Sequence, residues 1–209
     1  MPKKWLRERR RDPYYRRAKE EGYRSRAAFK LLQANKKYNF IKTGDVVADL
    51  GAAPGGWTQV ASKIVGSRGF VLSVDLCEIK NLNQKNVKTV VADIKDPKCS
   101  DFIMENLPRN PDVILSDASP NISGVWDVDH ARQIELADAA LEIAKNILCF
   151  NGYFFCKVFH GDLLKGFIDE IKRQYGFVKI VKPSASRKKS SEIYILVKKS
   201  LEGNNKNSY

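Results

Sequence analysis

Apolar positions along the chain follow two rhythms. Short apolar-rich runs at 46–50, 70–75, 87–92, 112–116 and 152–158 read as strands, and the run at 46–50 suits a parallel strand covered on both faces. Between them, apolar residues spaced three or four apart predict helices at 57–65, about 98–106, 130–148 and 162–174. The stripe Ile134, Ala137, Leu141, Ala144 and Leu148 is the clearest of these. Strand and helix alternate, which predicts an α/β fold with a mainly parallel, doubly wound sheet and right-handed crossovers. After residue 175 the pattern changes. Runs at 176–181 and 193–198 read as two strands joined by a polar turn, an antiparallel pair at the sheet edge. Before residue 46, Pro13 is placed to open a short helix ending near Gly22, and Ser25 to cap a helix through about Lys37.

The first buried strand runs directly into Gly51-Ala52-Ala53-Pro54-Gly55-Gly56-Trp57 and a helix start. A strand, a glycine-rich turn and a helix form the place where doubly wound folds bind nucleotide-like cofactors. The loop is not G-x-G-x-x-G, because Ala53 stands at the second glycine position. Nor is it a P-loop, since no Gly-Lys-Ser/Thr follows, and without Lys or Arg it offers a pyrophosphate little. Acids close the next strands. Asp75 ends the second, where an acid commonly binds ribose hydroxyls. Asp93 follows the third and is placed to meet an adenine amino group. A single strand-ending Asp is more often a helix cap; acids on three successive strands are a pattern. Ribose and adenine without phosphate point to S-adenosylmethionine.

At 209 residues with 43% hydrophobic content, one α/β domain with short extensions is the economical reading. The expected division is a basic N-terminal arm at 1–23, the cofactor-binding domain at 24–199 and a polar, disordered tail at 200–209. No apolar run reaches the roughly 18 residues of a membrane helix. The basic N-terminus has no apolar core of a secretory signal. Cys77, Cys99, Cys149 and Cys156 are widely spaced, which suits mostly buried, reduced thiols in a cytoplasmic protein. With two histidines and no ligand spacing, no metal site is expected.

The net charge of +13 is unevenly placed. Residues 1–42 carry 15 Lys+Arg against 4 Asp+Glu, and residues 179–199 carry 7 against 1. The middle is therefore acidic. Two basic ends meeting on one face would make a footprint for phosphates. Tyr14, Tyr15, Tyr23, Phe29, Tyr38 and Phe40 interleave with the first basic segment, which favours RNA docking over a merely solvated tail.

Two further strand ends carry chemistry. The fourth closes in Ser116-Asp117-Ala118-Ser119-Pro120-Asn121, and the fifth contains Lys157 among Cys156, Val158 and Phe159. A lysine in such a run is costly unless paired. Asp117 and Glu192, the only acid of the last basic segment, are the expected partners. Taken singly, Lys157 could snorkel past its strand and Glu192 could be a solvated charge. Together they make a candidate site.

These residues carry a family resemblance. The segments Ser25-Arg26-Ala27-Ala28-Phe29-Lys30-Leu31, Asp49-Leu50-Gly51-Ala52-Ala53-Pro54-Gly55-Gly56-Trp57, Ser116-Asp117-Ala118-Ser119-Pro120-Asn121, Lys157-Val158-Phe159 and Ser191-Glu192-Ile193-Tyr194 resemble the FtsJ/RrmJ family of RNA ribose 2′-O-methyltransferases. The resemblance spans about residues 24–198. It implies a Rossmann-like methyltransferase sheet of seven strands, one antiparallel, and a Lys–Asp–Lys–Glu tetrad at Lys30, Asp117, Lys157 and Glu192. It also implies S-adenosylmethionine held by Gly51, Pro54, Gly55, Gly56, Trp57, Asp75, Asp93 and Asp117.

Lys157 would then receive the ribose hydroxyl proton or orient the oxygen, held by Asp117 and Glu192, while Lys30 would bind the target nucleotide's phosphate or ribose. A free lysine loses its proton near roughly pH 10.4, too high for an efficient neutral base. Burial and a second cation favour the neutral amine, whereas the two carboxylates oppose it. The implied target is large-subunit ribosomal RNA, in small relatives a uridine of the A-loop, gripped by segments 1–42 and 179–199. A tRNA anticodon loop is the sibling reading and a messenger-RNA cap a more distant one. A catalytically silent ribosome-assembly factor is a reading of another class, and a dehydrogenase is disfavoured by the altered glycine loop.

Overall fold

The structure is a computed structural model and describes residues 11–187 and 189–200. Residues 1–10 of the basic arm and 201–209 of the polar tail therefore lie outside the described residues. Seven strands form one sheet: β1 Val46–Leu50, β2 Phe70–Asp75, β3 Val87–Val91, β4 Val113–Ser116, β5 Tyr153–Phe159, β6 Phe177–Val181 and β7 Glu192–Lys198. Their order is β3-β2-β1-β4-β5-β7-β6. The pairs from β3 through β5 are all parallel. β7 lies antiparallel to both β5 and β6, so it alone runs against the rest.

Among the described residues the sheet is flanked by α1 Pro13–Glu20, α2 Ala28–Tyr38, α3 Gly56–Val65, the 3₁₀ turn Gly66–Arg68, α4 Cys99–Glu105, α5 Trp126–Ile147 and α6 Leu164–Gln174. Alternation along the strands sends side chains to opposite faces. Ala48, Leu50, Phe154, Cys156 and Val158 pack under α4, α5 and α6. Val47, Leu115, Phe155, Tyr194 and Leu196 pack under α2 and α3. On that second face Phe155 stacks on Tyr194 at 5.0 Å and on Trp57 at 5.5 Å. Such pairs contribute about 0.5–1.5 kcal/mol beyond burial. α1 docks onto α2 through Ala18, Phe29 and Ala185. Only the edge strands β3 and β6 are substantially exposed.

The tail strands form the expected antiparallel pair at the sheet edge, with β7 between β5 and β6, which registers Lys157 against Tyr194 and Phe159 against Glu192. Two details depart from the sequence expectation. Helix α2 starts at Ala28, and Ser25 does not cap it with its side chain. Ser25 instead lies against α3, where a Cβ at Gly56 would come within 2.1 Å of its hydroxyl oxygen. Helix α5 starts four residues early, at Trp126; Asp127 and Asp129 in its first turn complement the helix dipole. The four cysteines are free, with Cys99 and Cys156 buried and Cys77 exposed. No helix among the described residues is long and apolar enough to cross a membrane.

One feature of α5 sets a pH dependence. Burial first, then Glu170, pushes the Asp138 carboxyl up to about 6, against the pull of Lys145. Between about pH 4 and 6 the folded chain binds more protons there than the unfolded chain, so stability falls as pH rises through that window. Asp138→Asn is expected to melt about 2–4 °C above the parent at pH 8. That gap corresponds to roughly 1 kcal/mol in a chain this long, after discounting a half-exposed group. The gap should close towards pH 4, which thermal melts at both pH values would read.

Candidate active site

The strand order reverses at β1, which has β2 on one side and β4 on the other. Open α/β sheets bind ligands at such a switch point, outside the carboxyl ends of the strands. A cavity of about 290 Å³ lies there, lined by Gly51, Asp75, Asp93 and Asp117, with Leu76 and Ile94 among its apolar residues. Gly51 reaches this position because it has φ +69°, and a Cβ on it would stand 2.5 Å from Ala118 Cα. Asp75 is fixed by two backbone donors, with Ala53 N–H donating to Oδ2 at 2.9 Å and Cys77 N–H to Oδ1 at 2.8 Å. Each oxygen keeps lone-pair capacity for a ligand hydroxyl. Asp93 Oδ1 accepts from Lys95 N–H at 2.9 Å.

Of the expected cofactor residues, Pro54, Gly55, Gly56 and Trp57 are not on the cavity wall. They build the loop and the first turn of α3 behind it. The Pro54 carbonyl accepts from Arg24, which also donates to the Lys80 and Asn81 carbonyls. Trp57 is buried, with Nε1–H donating to the Ala27 carbonyl at 2.8 Å. Beneath the loop, burial pushes the Asp49 carboxyl up to about 7, against the hydrogen bond from Thr58 to Oδ2. Asp49 Oδ1 has no partner among the described residues.

The second cluster adjoins the cavity through Asp117. Lys157, 6% exposed, donates to the Asp117 backbone carbonyl at 2.7 Å and lies 3.4 Å from its Oδ1. Lys30, 9% exposed, pairs with Glu192 Oε1 at 2.5 Å. Tyr194 links the two pairs: its hydroxyl lies 2.7 Å from Glu192 Oε1 and 3.2 Å from Asp117 Oδ1. With one proton, it donates to the nearer carboxylate. All four expected tetrad residues thus come together, but Glu192 pairs with Lys30 and not with Lys157. The reason is the register: Tyr194, not Glu192, stands opposite Lys157. Burial would raise the Glu192 carboxyl, yet Lys30 and Lys157 outweigh it and hold the group below its ordinary value. Burial and the two carboxylates push the Tyr194 phenol upward, so it stays a neutral donor.

Two positioning side chains are not singled out as site residues by the sequence. Tyr194 reads as an ordinary core aromatic of β7; only its two-residue spacing from Glu192 places both on one face. Gln133 on α5 donates from Nε2 to the Lys157 carbonyl (3.1 Å) and to the Ala118 carbonyl (3.3 Å), tying β5 to the loop after β4.

A cavity at the switch point of this sheet, next to a lysine–acid cluster, defines a Rossmann-like methyltransferase. The chain belongs to the FtsJ-like methyltransferase family, whose model matches residues 23–200. It is 48% identical over 200 residues to the ribosomal RNA large subunit methyltransferase E of Methanocaldococcus jannaschii, covering 94% of this chain and 82% of that one. A solved structure described as a ribosomal RNA methyltransferase of Plasmodium falciparum superimposes with TM-score 0.75 at 25% identity, covering 85% of this chain and 98% of that chain. The fibrillarin of Aeropyrum pernix, solved with bound S-adenosylmethionine, shares the fold with TM-score 0.58 at 18% identity, over 84% of this chain and 75% of that one.

Proposed function

We propose that this protein transfers the methyl group of S-adenosylmethionine to a ribose 2′-hydroxyl of large-subunit ribosomal RNA. The observation that carries the reading is Asp117, which lines the cofactor-sized cavity and also holds Lys157. It joins a cofactor site to a proton-handling site in one residue.

The cavity fits S-adenosylmethionine: its volume approaches the lower end for small-molecule sites, Asp75 offers acceptors for ribose hydroxyls, and Asp93 suits the adenine amino group. Bound there, the cofactor supplies a methyl group already activated as a sulfonium. What remains for the chain is to align the ribose oxygen and handle its proton. Lys157 has one N–H on the Asp117 carbonyl and a second direction towards its carboxylate. The third direction of the nitrogen can face the hydroxyl, as a lone pair that takes the proton or as an N–H that steadies the oxygen. Lys30, neutralised by Glu192, would bind the phosphate or ribose of the target nucleotide, so the tetrad accepts a polyanion without excess charge of either sign. The A-loop uridine expected from the family resemblance is the specific target within this reading.

The route for the backbone is basic. Arg26, Arg187 and Ser190 join Lys30 and Glu192 around a hollow of about 210 Å³. Arg26 and Arg187 also flank Asp12, the N-cap of α1, and so tie the first basic segment to the last. Arg187→Ala is expected to weaken RNA binding several-fold and to lower the slope of log affinity against log salt by about 1. Cofactor affinity should not change. Filter binding across a salt series, with cofactor titration alongside, checks both.

The test of the whole reading is transfer of labelled methyl to three substrates: large ribosomal subunits lacking the modification, their naked RNA, and bulk tRNA. Label in subunits or rRNA is expected. Label in tRNA alone would move the enzyme to anticodon-loop chemistry. No label, with cofactor bound, would favour a silent assembly factor in the cytoplasm.

A further inference from the structure

The segment between Asn121 and Val128 is exposed throughout and carries Ile122, Val125, Trp126 and Val128. Trp126 is 46% exposed although it is the largest apolar side chain nearby. Its ring is held in place: it stacks on His130 at 5.5 Å and 16°, and on Phe159 at 6.0 Å and 21°. His130 is buried and packed so tightly under Gly161 that a Cβ there would fall 2.4 Å from its ring. The loop leading into Trp126 is fixed as well, because Asp129 accepts from Ser123 N–H, Ser123 Oγ–H and Gly124 N–H. A large aromatic ring on a rigid backing, open to solvent, is what a stacking ligand needs and not what a core requires.

Its location identifies the ligand. Phe159 lies two residues beyond Lys157 on β5, so both side chains leave the same face of the strand, roughly 7 Å apart along it. Across the ladder Phe159 stands opposite Glu192. The stack of three rings therefore begins at the rim of the tetrad. A ribose presenting its 2′-oxygen to Lys157 has its own base one bond from the neighbouring carbon, which places the base within that span. We propose that Trp126, backed by His130 and Phe159, is a stacking platform for the nucleobase of the nucleotide being methylated. This rests on the ribose 2′-O-methyltransferase reading above. Every base has a π-face, so the platform orients the nucleotide without selecting its identity.

The test is a two-by-two comparison. Parent enzyme and Trp126→Ala are assayed for kcat/KM on naked rRNA fragments that carry either the normal target nucleotide or an abasic ribose at that position. Trp126→Ala is expected to lower kcat/KM on the intact RNA by roughly 5- to 150-fold, the effect of removing one base–aromatic stack. It should have little effect on the abasic RNA, and Trp126→Phe should recover most of the loss. Cofactor affinity should stay unchanged throughout. An equal loss on both RNAs would overturn the platform, since Trp126 would then serve the protein's own structure. So would no loss on naked RNA with a loss only on assembled subunits, which would make Trp126 a contact to a ribosomal protein. If the parent methylates no RNA, the function reading fails first. Quenching of tryptophan fluorescence by a single-stranded oligouridylate then decides the platform: quenching in the parent but not in Trp126→Phe supports it, and equal quenching rejects it.

Discussion

Replacing Lys157 is expected to lower methyl transfer by about 10²- to 10⁴-fold, the usual contribution of a positioned acid–base group. The nitrogen sits 2.7 Å from the Asp117 carbonyl, and Asp117 lines the cofactor cavity. In the proposed reaction the lysine would stand at the boundary between cofactor and ribose. Ala removes both the amine and its stem; Met keeps the stem and the packing in β5 while removing the proton chemistry. Both should be equally inactive. Cofactor affinity should change little, because Asp75 and Asp93 are untouched. Either variant takes the Lys157 ammonium away from the Asp117 carboxylate, whose Oδ1 it approaches at 3.4 Å. A stability cost of about 1–3 kcal/mol follows, so single-turnover rates should be measured well below the melting temperature. Near-normal turnover with normal RNA affinity in Lys157→Met would remove Lys157 from the chemistry.

The second large effect is expected at Gly51. With φ +69° the residue occupies the left-handed region, and an added Cβ would meet the backbone of Ala118 at 2.5 Å. Ala118 lies on the cavity wall beside Asp117. Gly51→Ala must therefore push β4's exit loop away from β1, moving the wall and Asp117 with it. The conformational strain alone costs about 1–3 kcal/mol; the collision adds to it. Cofactor affinity is expected to fall at least about 10-fold. Gly44→Ala is the control, since Gly44 has φ +90° but nothing within 4 Å of an added Cβ. It should lose stability without losing cofactor. Calorimetric titration and thermal melts of the two variants separate strain from collision.

The parallel half of the fold is legible in the sequence because β1, β2, β4 and β5 are buried on both faces and so appear as apolar-rich runs. Position in the sheet is less legible. Nothing local to 192–198 says that this strand inserts between β5 and β6, because strand pairing is decided by tertiary packing. The tetrad residues are named by their motifs, and Lys157 stands out even without them as a charge in an apolar strand. Their pairing is not legible. Lys30 meets Glu192 only because α2 packs over the face where β7 lies, a contact between residues 162 positions apart. Tyr194 and Gln133 look like ordinary core and helix residues until their partners are known. Trp126 lies four residues before the helix expected at 130–148, so neither its helix position nor its stack with Phe159 is signalled.

The transferred methyl is expected to end on a ribose oxygen. The direct measurement is alkaline hydrolysis of ribosomal RNA labelled by this enzyme from methyl-labelled S-adenosylmethionine, with Lys157→Met run alongside. A 2′-O-methyl group blocks hydrolysis of the adjacent phosphodiester, so the label is expected in alkali-resistant dinucleotides and absent with the variant. Label released in mononucleotides would place the methyl on a base and contradict the assignment of this site.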